Sequence, residues 1–147
     1  MSRAAVSRKP VIATTDGIRV EATARMVPAS TARSFLATHA EKAVSLYSYR
    51  IRITNQSPAA ARLLERHWVI LDADGERRDV AGSGVIGQQP HLQPGETFVY
   101  DSFCPLPTDW GTMEGTYTFE REGGAKFGVA IPRFFLTPPP QPAATEA

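Results

Sequence analysis

From Ile18 to Met26 apolar and polar residues alternate without a break, with Ile18, Val20, Ala22, Ala24 and Met26 set against Arg19, Glu21, Thr23 and Arg25. A period of two places each set on one face, which predicts a half-buried strand. Leu46 to Asn55 repeats the pattern, with Tyr47, Tyr49, Ile51 and Ile53 on one side, and the turn signal Asn55-Gln56-Ser57-Pro58 closes it. Leu63 to Leu71 breaks the rule, since Leu64, Trp68 and Ile70 fall on one face and Leu63, Val69 and Leu71 on the other. This break predicts a strand buried at least partly on both sides. Asp72-Ala73-Asp74-Gly75 predicts a hairpin turn, with Arg77 to Val80 returning. Thr97 to Cys104, Gly115 to Glu122 and Phe127 to Ile131 supply further short strands, the last two joined through Gly123-Gly124. Turn signals so closely spaced predict an all-β, antiparallel sandwich. Helical character is confined to Ser34–Lys42, and the stretch from Pro28 to Lys42 reads as an inter-strand loop with one helical turn.

The length of 147 residues suits one domain that buries about two-thirds of its unfolded surface. The expected division is a flexible basic tail over residues 1–14, the sandwich over 15–137, and a disordered Pro-rich tail over 138–147 that contains Pro138-Pro139-Pro140-Gln141-Pro142. The single cysteine, Cys104, leaves no internal disulfide, so packing alone must hold the fold, as suits a reducing compartment. No secretory signal and no apolar run long enough to span a membrane is visible, so the expected location is the cytoplasm. Residues 1–43 carry seven Lys and Arg against three Asp and Glu, whereas residues 44–147 carry nine against twelve. The body is therefore mildly acidic, which argues against a nucleic-acid partner, because such a surface needs clustered cations.

Gly82-Ser83-Gly84-Val85-Ile86-Gly87 spells GxGxxG, the dinucleotide fingerprint, but that fingerprint needs a helix opening within it. Here Pro90 and Pro94 follow and deny the helix. Two readings of the glycines remain. Gly82, Gly84 and Gly87 can permit positive φ or close backbone approach in a bulged inter-strand loop, the favoured reading. Alternatively Gly82, Ser83, Gly84 and Gly87 form a nest of backbone N–H groups for phosphate, with Arg66, Arg77 or Arg78 as counter-charge.

Trp68 in the middle of the third main strand, Pro94-Gly95-Glu96 before an alternating strand, and Glu114-Gly115-Thr116-Tyr117-Thr118-Phe119, which resembles a tyrosine corner, point to an immunoglobulin or fibronectin III-like topology. More specific stretches are Tyr49-Arg50-Ile51-Arg52-Ile53-Thr54-Asn55, Arg66-His67-Trp68-Val69-Ile70, Gly82 to Pro90, Leu92 to Glu96, Cys104-Pro105-Leu106-Pro107-Thr108 and Gly111 to Tyr117. Over Ile18 to Leu136 the sequence resembles the ApaG family of small bacterial proteins. That resemblance implies the same sandwich, a link to diadenosine polyphosphate breakdown and to cobalt and magnesium tolerance, and a pyrophosphate-binding role for the glycine motif. The sequence departs from the family in its longer first loop, Pro28 to Leu46, and in Phe103 and Trp110.

His39, His67, His91 and Cys104 show no metal-ligand spacing, so no metal site and no cofactor are expected. Cys104 with His67 or His91 could be a nucleophile and base, but a thiol between Phe103 and Pro105 at a strand end reads as buried and inert, and His67 as a packed or hydrogen-bonded strand residue. The expected function is that of a non-catalytic module that binds another protein, with Ile86, Phe103, Leu106 and Trp110 as anchors. The alternative is a small-molecule module that holds a nucleotide or pyrophosphate on the glycine loop.

Overall fold

The alternating segments become strands of two facing antiparallel sheets. In the computed structural model, which describes residues 9–39 and 42–139, the chain runs β1 (Val11–Thr15), β2 (Ile18–Met26), α1 (Ala29–His39), β3 (Ser45–Asn55), β4 (Ala61–Asp72), β5 (Arg77–Ser83), β6 (His91–Leu92), β7 (Thr97–Leu106), β8 (Gly111–Arg121) and β9 (Lys126–Leu136). One sheet has the order β1-β2-β3-β7 and the other β5-β4-β8-β9, with β6 added to β4. Taken without β1, this is a fibronectin III-like sandwich. No helix among the described residues is long and apolar enough to cross a membrane.

The strand whose alternation fails explains itself once paired. The register of β4 against β8 slips between Leu63 and Glu65, which makes Leu64 the extra residue of a β-bulge. The bulge shifts the phase by one, so Leu63 and Trp68 are both core residues although an odd number of positions separates them. The broken pattern therefore records a bulge and not burial on two sides; Val69 and Leu71 are only half-buried. A second slip, between Met113 and Gly115 of β8, sets an extra residue into β9 at Pro132 and Arg133, between Ile131 and Phe134.

Trp68 is 2 % exposed and sits at the centre of the core. Its ring lies 5.3 Å from Tyr49, 5.9 Å from Phe134 and 6.4 Å from Tyr117, each closer to perpendicular than to parallel. Edge-to-face contact of this kind favours the ring quadrupoles beyond simple burial. Tyr117 does not make a tyrosine corner, because its hydroxyl pairs at 2.5 Å with that of Tyr100 from the opposite sheet. Burial raises the pKa of both phenols, so they stay neutral and bridge the sheets as donor and acceptor.

Three elements differ from the sequence expectation. β1 begins at Val11, inside the stretch assigned to the basic tail, and pairs with β2 through the turn at Asp16-Gly17. The two-residue β6 is too short for any periodicity to reveal. The expected loop after Pro28 contains an 11-residue helix, α1. The carbonyl of Pro28 accepts the N–H groups of Thr31 and Ala32 at 3.0 and 2.8 Å, which opens the helix, and Ala32 is buried. Tertiary packing, not local propensity, stabilises it. Residues 1–8 and 140–147, most of the expected tails, lie outside the described residues.

Replacing Trp68 with alanine removes the hub of the aromatic cluster, and we expect a loss of about 3–5 kcal/mol in denaturant melts. A loss below about 1 kcal/mol, typical of surface positions, would contradict this packing.

Candidate functional site

The glycine segment divides into strand and loop. Gly82 and Ser83 close β5 opposite Arg66 and Glu65, and only then does the chain leave the sheet. The carbonyl of Leu64, the bulged residue, accepts the N–H of Gly84 at 2.7 Å and Nε2 of Gln89 at 3.0 Å. Val85 and Gln88 then exchange two backbone bonds of 2.8 Å across Ile86 and Gly87, whose φ values are +42° and +77°. Two positive φ angles in a two-residue turn are the type I′ geometry. The amides of Gly84, Val85 and Gln88 are thus committed to protein carbonyls.

Arg66 follows the bulge and shares the inner side of β4 with Trp68, opposite Gly82 on one neighbour and Tyr117 on the other. Its Nη1 donates to the carbonyls of Ser83 at 3.1 Å and Gly84 at 2.9 Å. The guanidinium occupies the space a side chain at 82 would need, since a Cβ there would stand 2.9 Å from Nη1. No carboxylate among the described residues pairs with Arg66.

Arg77 and Arg78 do not join this group. Arg77 stands opposite Leu71 at the other end of β5. Its Nε and Nη2 donate to Asp79 at 2.7 and 2.9 Å, and Nε2 of His67 bonds the same carboxylate at 2.7 Å. Arg77, and after it His67, hold the Asp79 carboxyl well below the usual carboxylate range. Arg78 reaches across to β7, where Nη2 lies 3.3 Å from the carbonyl of Pro105 and 3.8 Å from Sγ of Cys104. Together with Ile70, Leu106 and Pro107, the two arginines line a cleft of about 200 Å³ between the edges of the sheets.

Burial pushes the Cys104 thiol up to about 11, with Arg78 opposing only in part. Neither histidine considered as its base stands beside it: His67 is bonded to Asp79, and His91 faces Glu122 at 4.0 Å. Among the described residues no three His, Cys, Asp or Glu side chains gather as metal ligands.

The apolar anchors separate. Leu106 is 1 % exposed, because it shares the inward phase of Tyr100 and Cys104, and so cannot be a contact residue as expected. Phe103 is 52 % exposed on the outer face of β7, with its ring 5.5 Å from that of Phe35 of α1. Trp110 is 42 % exposed on the loop after β7. That loop is pinned by Oγ of Ser45 to the carbonyl of Thr108 and by the Tyr47 hydroxyl to that of Asp109, both at 2.6 Å. Val44, 62 % exposed, precedes Ser45 at the same end, and sequence reading missed it because an isolated apolar residue carries no periodic signal. Ile86, 52 % exposed, projects from the glycine loop instead, away from this end. An open groove of about 540 Å³ lies at the turns around Asp16, Ser57, Arg121 and Phe127 and contains none of the candidate ligand or partner-contact residues.

A family model described as the ApaG domain matches residues 36–121. The chain is 53 % identical over 94 residues to the protein named ApaG of Anaeromyxobacter dehalogenans strain 2CP-C, covering 64 % of this chain and 75 % of that one. It is 50 % identical over 93 residues to the protein of the same name from Bdellovibrio bacteriovorus, covering 63 % and 73 %. A crystal structure named for an ApaA protein from Bordetella pertussis superposes with a TM-score of 0.71 at 40 % identity, covering 90 % of this chain and 98 % of that one.

Two substitutions separate the demands on the glycine loop. A Cβ at Gly84, where φ is +65°, would run into the backbone carbonyl of Gln88, whereas one at Gly87 would meet open space. Gly84→Ala is expected to cost about 2–3 kcal/mol and Gly87→Ala about 1 kcal/mol in denaturant melts, the second from φ alone. Equal losses would contradict the close approach. Cys104 yields a third test: it is expected to react with an aromatic disulfide at pH 8 only as fast as the protein unfolds, since its native thiol is both buried and neutral. Prompt reaction of the folded protein would contradict that environment.

Proposed function

The chain belongs to the ApaG family, and from that premise we propose that it works in the cytoplasm as a non-catalytic module that binds another protein. The observation that carries this reading is the end of the sandwich at which Val44, Phe103 and Trp110 stand exposed beside α1. Large apolar side chains on backbone already fixed by buried hydroxyls lose little freedom on association, which is what makes good anchors. The acid–base and nucleophilic candidates are engaged elsewhere: Cys104 is buried, and His67 is bonded to Asp79, which also accepts from Arg77. On this reading the link to cobalt and magnesium tolerance and to diadenosine polyphosphates runs through the partner.

A second reading, a nucleotide or pyrophosphate held at the glycine loop, has one feature in its favour, the guanidinium of Arg66 without a carboxylate partner among the described residues. Against it stands the use of the Gly84, Val85 and Gln88 amides by protein carbonyls.

The test is affinity capture from the source cell with quantitative mass spectrometry, comparing the wild type with a Phe103→Ser, Trp110→Ser double variant. We expect one protein recovered by the wild type and lost with the double variant at unchanged folding; recovery indifferent to both substitutions would overturn the assignment. In the same preparation pyrophosphate is expected to leave the amide resonances of residues 82–87 unmoved, and calorimetry with cobalt or magnesium to show no tight binding. Saturable shifts at those amides, lost in Arg66→Ala, would transfer the function to the second reading.

A further inference from the structure

The edges of the two sheets are unequally protected. β1 is short, with five residues, and β5 carries Arg77, Arg78 and Asp79, with the carbonyl of Ser83 taken by Arg66. β9 contains Pro132, and the N–H of Ala130 bonds Oγ1 of Thr15. Short strands, charges and prolines are the usual means by which an edge is kept from pairing with another chain. β7 has few of them: its register with β3 runs unbroken from Thr97 to Leu106, and Asp101 is its one charged residue.

The phase of the ladder fixes which backbone groups of β7 remain open. Asn55 donates to the carbonyl of Glu96 at 3.0 Å, so the hydrogen-bonded pairs with β3 continue through Phe98, Tyr100, Ser102 and Cys104. Val99, Asp101 and Phe103 therefore turn their N–H and C=O groups to the free side, where no turn, loop or side-chain bond of the described residues uses them. Pro105 continues the same phase, and its carbonyl meets Arg78 from outside the sheet. On the outer face above these open groups stand Val99, 42 % exposed, then Asp101, then Phe103.

We propose that the β7 edge takes an extended segment of a partner protein as an added strand, with the pattern apolar, any residue, Lys or Arg, any residue, apolar. The inference rests on the reading of the chain as a protein-binding module and specifies how the partner is held. Three open residues offer up to six main-chain bonds, and the side chains above them select the sequence. The two apolar residues of the partner lie against Val99 and Phe103, and its cation meets Asp101, whose oxygens hold Arg50 at 2.7 and 3.1 Å but remain open to solvent. A second copy of β7 fits less well. Pairing Val99 with Phe103 in both directions about a two-fold axis sets Asp101 against Asp101, and like charges directly opposite destabilise a ladder.

The test titrates the full chain with a blocked heptapeptide in which threonine alternates with valine, lysine and valine, followed by amide resonances. The expected result is saturable binding that shifts Val99, Asp101 and Phe103, is abolished when the peptide's valine and lysine amides are N-methylated, and weakens roughly tenfold when glutamate replaces lysine. Asp101→Lys should reverse the preference between the two peptides. No saturable shift, or binding indifferent to N-methylation, would overturn strand addition. Shifts confined to Val44 and Trp110 would also overturn it while leaving the module reading intact. Concentration-dependent dimerisation in sedimentation that perturbs the same amides would assign the edge to a second copy and equally overturn the proposal.

Discussion

The β-bulge at Leu64 is the constraint from which the interior and the glycine loop both follow. By adding one residue to β4 it brings Trp68 into the core after Leu63 has already been placed there, so the aromatic cluster of Tyr49, Trp68, Tyr117 and Phe134 depends on that slip of register. At the slip the Leu64 carbonyl faces the β5 side, and a backbone carbonyl left unpaired there would be costly. Gly84 and Gln89 answer it from the loop that follows β5, which explains why a glycine-rich loop stands at this place. Arg66, two residues on, completes the arrangement by holding the loop through its own carbonyls and filling the room that Gly82 leaves.

The two ends of the sandwich thereby acquire different characters. Around the glycine loop donors and acceptors satisfy one another, and the backbone is shaped by closeness of approach. Around α1, Val44 and the loop to Trp110, hydroxyls of Ser45, Tyr47 and Thr108 fix the backbone from within and leave apolar side chains outside. Along the side between them runs β7, with its outward main-chain groups. A recognition surface built on such rigid elements loses little entropy on binding, which is the physical ground for the proposed reading of the chain as a binding module.

Strict alternation made β2 and β3 legible to within a residue, and β-hairpin turn chemistry located the passage from β4 to β5. The meaning of the break after Leu63 was not legible, because a bulge and two-sided burial leave the same mark on a pattern of period two. Helix α1 was legible only as one helical turn in a loop, for a different reason: its residues are small and mixed, and what holds it is the burial of Ala32 and the contact of Phe35 with Phe103, far away in sequence. Of the candidate site, the structural role of the glycines followed from Pro90 and Pro94. The separation of Arg77 and Arg78 from Arg66, and the burial of Leu106, depend on register, which one sequence does not reveal.

The central claim, that the glycine segment is a lock on the bulge, is most directly tested by native-state hydrogen exchange at single amides. The account predicts that the Gly84 N–H, bonded to the Leu64 carbonyl at 2.7 Å, exchanges only through openings close in free energy to global unfolding, while the amides of Ile86 and Gly87 at the tip exchange rapidly. A Gly84 amide that exchanges as fast as its neighbours at the tip would contradict the claim, since a lock that opens freely closes nothing.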